Sequence, residues 1–146
     1  MIKISGKDNV RVIYLPPWPI YSFITHRTEN VIREWLKDEK VPRTQVAIFQ
    51  AKIDAYEQGG PDLNPGLIEG PVSKNIYKMK IKGHKGHMQL RPMVCYGPFE
   101  NGEVTMLLGA IEKDFKLRPG NCKMQAQENR EILIQNRMRR RRERID

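Results

Sequence analysis

The chain has 146 residues, the length of one domain, and its 39% of hydrophobic residues is gathered into periodic segments, which excludes a disordered chain. Twenty-six Lys and Arg against 17 Asp and Glu leave a formal charge of +9, which points to a polyanion as partner, RNA first. No apolar run of about 18 residues is present to cross a bilayer, and Met1-Ile2-Lys3-Ile4 has neither the apolar core nor the cleavage site of a secretory signal. Two cysteines, Cys95 and Cys122, are too few for a disulfide framework and are expected as reduced core thiols in a cytoplasmic protein.

Val10 to Leu15 is β-branched and apolar and predicts a strand, ended by Pro16-Pro17-Trp18-Pro19. Ile20 to Ile24 is a second apolar run, either a further strand or a packed loop. Thr28 is placed to cap a helix, with Glu29 in its first turn and Val31, Ile32, Trp35 and Leu36 at helical spacing. That helix should stop near Glu39, because Pro42 disfavours helical geometry before it and suits the first turn of the next helix. Val46, Phe49, Ile53 and Tyr56 form one stripe on that second helix, and Gly59-Gly60 closes it. Residues 59–74 are expected as a surface loop.

The period then changes to two. Tyr77, Met79 and Ile81 alternate with Lys78, Lys80 and Lys82, so three apolar side chains should enter the core while three lysines line the other face. Gly83 to His87 is a turn, and Met88 to Tyr96 a second strand with an edge or bulge at Pro92. Gly97 to Gly102 is a hairpin connection, and Val104 to Ile111 an apolar run fit for a central strand buried on both faces. A basic connection and a final helix over about 121–142 complete an α+β fold. It comprises an N-terminal strand and αα-hairpin on an antiparallel sheet of about four strands, with a C-terminal helix. The domain is expected over 1–136, with 137–146 a basic tail.

Four groups of residues could carry chemistry. Ammonium groups on alternate strand residues stand about 7 Å apart, close to the phosphate spacing of an extended nucleic-acid strand. Lys78, Lys80 and Lys82 meet that pattern, with Lys85 and Arg91 downstream; the competing reading is an edge strand blunted by lysine. His84 and His87 could move the protons of RNA cleavage, or be plain loop histidines. Lys113, Lys116 and Arg118 follow the central strand as a basic loop. Arg137, Arg139, Arg140, Arg141 and Arg142, with Arg144, repel one another unless an anion relieves them. A metal site joining the histidines to Cys95 or Cys122 lacks a paired-cysteine signature, and no cofactor is expected.

Several segments together resemble the RelE/HigB toxin superfamily, in particular its phage-derived HigB-like branch. They are Val31-Ile32-Arg33-Glu34-Trp35-Leu36, Ile76-Tyr77-Lys78-Met79-Lys80-Ile81-Lys82-Gly83 and Leu107-Leu108-Gly109-Ala110-Ile111-Glu112-Lys113, with Pro119 ending a basic connection. The resemblance spans roughly residues 10–136. It implies a RelE-like fold and a type II toxin that cleaves mRNA on the ribosome without metal, covered by a helix-turn-helix antitoxin. It assigns catalysis to Lys78, Lys80 and, more loosely, Arg91, and a basic role to Lys113. His84 or His87 would supply proton transfer, and Lys82, Lys85, Lys116, Arg118 and the arginine run would grip RNA. The sequence departs from the family in having no tyrosine or histidine after Tyr96 for acid–base work. A non-catalytic binder of nucleic acid or a host target, including a gyrase poison, is the alternative.

Overall fold

The computed structural model describes residues 2–5, 10–83 and 88–146. Strands β1 (Ile2–Ser5) and β2 (Val10–Ile13) pair antiparallel as a two-stranded sheet of their own. The first strand of the main sheet is therefore not the Val10 run. It is β3 (Ile20–Phe23), whose sequence is compatible with either a strand or a packed loop.

Helix α1 (Val31–Asp38) is capped by Asn30, not Thr28. The Asn30 side-chain oxygen accepts from the backbone N–H of Ile32 at 2.9 Å and of Arg33 at 3.1 Å, as an N-cap requires. Thr28 sits two residues earlier in a turn with φ of 63°, its hydroxyl donating to the Arg27 carbonyl. Helix α2 (Arg43–Leu63) buries Phe49, Ile53 and Tyr56 on the expected stripe. It breaks at Gly60, where φ is 68° and an added Cβ would lie 2.4 Å from the Trp18 ring. Glycine alone satisfies both demands.

The segment after α2 is only in part a loop. Strand β4 (Ile68–Ser73) pairs antiparallel with β5 (Ile76–Met79), which continues on its other side to β7 (Met93–Tyr96). The lysine-bearing strand is thus internal, and the edge-strand reading of its lysines is corrected: β4 covers that edge. β8 (Val104–Leu108) pairs antiparallel with β7 and parallel with β3. It is buried on both sides as expected. Met106 joins the cluster of Phe49, Ile53 and Tyr56 from α2, whereas Leu107 joins that of Ala126 and Leu133.

Two predicted strands each divide. The Met88–Tyr96 run splits at Arg91-Pro92 into β6 (Gln89–Leu90) and β7, and Val104–Ile111 splits at Gly109-Ala110 into β8 and β9 (Ile111–Lys113). The breaks face one another, with Arg91 N–H donating to the Ala110 carbonyl at 2.8 Å. Proline cannot donate to a ladder, and Gly109 lies under Trp35, where a Cβ would come within 1.8 Å of the ring. Beyond the breaks, β6, β9 and β10 (Lys116–Arg118) form a separate three-stranded sheet in the order β10-β9-β6.

The final helix, α3 (Cys122–Gln135), is shorter than predicted. Asn136 ends it, a 3-10 turn spans Arg137–Arg139, and β11 (Arg140–Arg141) pairs antiparallel with β3. Residues 137–146, expected as a tail outside the domain, close it. The main sheet reads β11-β3-β8-β7-β5-β4, mostly antiparallel, with α1 and α2 on one core face and α3 on the other. The molecule is α+β.

Ion pairs explain why the arginine run folds back. Arg140 and Glu103 are both almost fully buried and in direct ionic contact, and the Arg140 guanidinium also stacks 3.8 Å from the Tyr21 ring centroid. Arg142 grips Glu57 through two bonds, 2.7 and 3.0 Å long, which hold the guanidinium pKa above its ordinary value. Arg139 donates to the Ile24 carbonyl at 2.7 Å, and Ile145 is buried in the α2 core. The anions that relieve the arginine repulsion are the chain's own.

Candidate nucleic-acid interface

Alternation on β5 delivers the predicted division of faces. Met79 and Ile81 are fully buried, while Lys78 and Lys80 turn to the other side, their side chains 20% and 30% exposed. The strand pairing sets Glu69 of β4 directly opposite Lys78. Lys78 Nζ lies 3.4 Å from one Glu69 oxygen and Lys80 Nζ 3.4 Å from the other. Lys78 also reaches Glu112 of β9 at 3.7 Å, and Glu112 in turn meets Arg91 at 3.6 Å. Charge therefore alternates along one connected row: Lys80, Glu69, Lys78, Glu112, Arg91.

Lys78 and Lys80 on one predicted strand and Arg91 on the next are thus brought together. Arg91 does not stand as an open phosphate clamp. It is only 5% exposed, with Nη1 donating to the Leu90 carbonyl at 2.9 Å and Nε left without a hydrogen-bond partner. The sheet break at Pro92 turns its side chain inward, and its role is to fix Glu112. For Glu69, burial works to raise the pKa, but hydrogen bonds from Lys80 and Lys78 outweigh it and hold the carboxyl below its ordinary value. Sequence reasoning misses both glutamates. Glu112 falls just past the end of the predicted Val104–Ile111 strand, and Glu69 in a segment expected as loop.

Chemically, the row offers carboxylates able to accept a proton beside ammonium groups able to stabilise a phosphate gaining negative charge. It carries a surplus of one positive charge, three cations against two carboxylates. Lys82, Lys113, Lys116 and Arg118 are exposed and, among the described residues, make no ion pair. Lys113 and Lys116 face each other across β9 and β10. Glu112 joins the small sheet to the charge row, while Lys113, next along β9, and Lys116 opposite it take the other face of that sheet.

His84, Lys85 and His87 lie outside the described residues. The Gln89 side chain bonds the Gly83 backbone, and its oxygen lies 3.5 Å from Arg91 Nη2. The arginine run is elsewhere: β11 forms the edge of the main sheet opposite to β4. Arg140 and Arg142 are committed to Glu103 and Glu57. Arg137 pairs with Glu100 at 3.1 Å and Arg141 with Glu143 at 3.4 Å, both side chains remaining about half exposed. No cluster of three or more His, Cys, Asp or Glu able to hold a metal occurs among the described residues, and none of their helices is long and apolar enough to cross a membrane.

Trp18, compatible in sequence with either a core residue or a stacking platform, lines a cleft of about 400 Å³ with Tyr56, Tyr96 and Phe99. Its ring is seated between Gly60 and Gly102. Burial, and then neighbouring Tyr96, push the Tyr56 hydroxyl up to about 12, so it stays a neutral donor. No family model, curated protein or solved structure matches this chain.

Proposed function

We propose that the protein binds RNA over the face formed by Lys78, Lys80, Glu112 and the small sheet, and that it cleaves RNA there without a metal. The observation that carries this reading is the connected row of Lys80, Glu69, Lys78, Glu112 and Arg91 on one face. In the reaction a carboxylate, Glu112 by its contacts, takes the proton of a ribose 2′-hydroxyl. The 2′-oxygen then bonds to phosphorus, and the bond from phosphorus to the 5′-oxygen breaks. Lys78 and Lys80 stabilise the extra negative charge as it develops. Buried Arg91, 3.6 Å away, orients Glu112. The leaving 5′-oxygen takes a proton from His84 or His87, the groups the sequence reading assigns to proton transfer. The products are a 2′,3′-cyclic phosphate and a 5′-hydroxyl.

The resemblance to the RelE/HigB toxins supports a narrower form of this proposal. The substrate is then mRNA on the ribosome and the partner a helix-turn-helix antitoxin, in the cytoplasm. The test is to map new RNA 5′ ends in a purified translation reaction, with and without ribosomes. Wild-type protein should produce ends only with ribosomes present, and Lys78→Ala/Lys80→Ala and Glu112→Gln should produce none while remaining folded. Ends that persist in both variants would refute the assignment.

One observation favours a second reading, a non-catalytic binder. Every cation in the row already has a carboxylate within 4 Å, so a phosphate must compete for it. Binding with steep salt dependence but no covalent product would establish that reading.

A further inference from the structure

The connection between β9 and β10 is a two-residue turn, Asp114-Phe115, closed by the pairing of Lys113 with Lys116. Both turn residues have positive φ, 53° and 63°. Such a turn favours Asn or Asp followed by glycine, because the second position is left-handed and a side chain there is strained. Asp114 fits the rule and Phe115 breaks it. A bulky aromatic in a left-handed conformation is a true outlier, and it gains nothing from packing here: Phe115 is fully exposed, at 102% of its reference area. Stability thus does not explain the residue. Strain held at an exposed site points to a use for the ring outside the fold.

The surroundings say what would cover it. Lys113, Lys116 and Arg118 flank the ring, all exposed and, among the described residues, without a carboxylate partner. A bare aromatic face among unpaired cations is the combination that holds a single-stranded nucleic acid, with a base on the ring and phosphates on the cations. Leu117, two residues on along β10, is half-buried against the core. Phe115 lies in the turn two residues past the end of β9, with Lys113 and Lys116 paired at its base.

We propose that Phe115 is a stacking platform for an unpaired RNA base, held out by the β9–β10 turn among Lys113, Lys116 and Arg118. This rests on the RNA-binding reading above and adds its selectivity: single-stranded rather than duplex RNA.

The test is fluorescence anisotropy with a labelled 2′-O-methyl oligouridine, which cannot be cut through its 2′-oxygen. It is run over a salt series beside a blunt RNA duplex of equal length. Phe115→Gly should weaken single-strand binding about tenfold, with an unchanged salt slope, and leave duplex binding as it was. The same variant should have a higher Tm, because glycine relieves the strain, so lost affinity cannot be blamed on unfolding. Phe115→Trp should keep affinity, and Phe115→Leu should lose it as glycine does. If wild type binds with steep salt dependence and Phe115→Gly matches it, the platform is refuted while RNA binding stands. If wild type shows no salt-dependent binding, the RNA reading itself falls. Retained affinity in Phe115→Leu, or Phe115-dependent binding to phosphatidylserine vesicles in place of RNA, would overturn stacking in favour of a generic apolar contact.

Discussion

Arg140→Met tests whether the arginine run is a structural strap. Glu103 is fully buried. One of its carboxylate oxygens accepts from the backbone N–H of Phe99 at 2.7 Å and from that of Glu100, and the other meets Arg140. Methionine keeps much of the Arg140 stem but leaves that second oxygen as an uncompensated buried charge. Breaking such a pair from one side costs about 3–5 kcal/mol; the two remaining backbone donors favour the lower end, about 3 kcal/mol. With a urea m-value of about 2 kcal/mol/M, the midpoint should fall by roughly 1.5 M. The double variant Glu103→Gln/Arg140→Met removes both charges and should recover at least half of the loss. Arg141→Ala, whose partner Glu143 is shared with solvent, should change stability by about 0.5 kcal/mol or less. Trypsin offers a second readout, since β11 pairing should protect the Arg140 and Arg141 bonds in the wild type. A loss below about 1 kcal/mol for Arg140→Met, the value of an exposed pair, would refute the strap and return these arginines to a solvated tail.

Two other variants and two conditions probe the rest of the fold and the candidate face. Gly109→Ala puts a Cβ 1.8 Å from the Trp35 ring and should destabilise by about 3 kcal/mol, at the top of the range for overpacking, measured by urea unfolding. Cys95 is fully buried and its thiol is pushed up to about 11, chiefly by burial, so it should resist a thiol reagent at neutral pH until the protein unfolds. Glu69→Gln removes a carboxylate that competes with phosphate for Lys78 and Lys80; RNA affinity should rise and its salt slope steepen by about one. Because the folded pKa of Glu69 lies below its ordinary value, its stabilising contribution is present above that value. It should disappear as pH falls through the folded pKa, and acid titration of wild type against Glu69→Gln will show the difference.

How much of the fold is legible in the sequence depends on how local each cause is. The α2 stripe, the lysine alternation on β5 and the two-sided burial of β8 depend on side-chain period, which neighbours along the chain fix. The splits at Arg91-Pro92 and Gly109-Ala110 depend on two distant segments bending at the same level and on Trp35 arriving over Gly109. Nothing local states either condition. Thr28 and Asn30 are both good caps, and the choice falls to Asn30 because its amide also reaches Glu143 at 3.0 Å, 113 residues away. The fold-back of the arginine run is hidden for the same reason. Its repulsion is legible, but its partners Glu57, Glu100 and Glu103 are remote in sequence.

That fold-back changes where the basic character of the protein must act. The densest cationic stretch in the sequence is largely spent on internal carboxylates, so it contributes less outward charge than its composition suggests. Lys82, Lys113, Lys116 and Arg118 have no such partners among the described residues, and they sit with the small sheet beside Glu112. Salt-dependent binding should accordingly be sensitive to Lys113 and Lys116 and nearly indifferent to Arg137 and Arg141, although the second pair belongs to the more basic segment. The small sheet is separate because the ladder is interrupted at Arg91-Pro92 and Gly109-Ala110, and its β9–β10 hairpin leaves Lys113, Lys116 and Arg118 exposed.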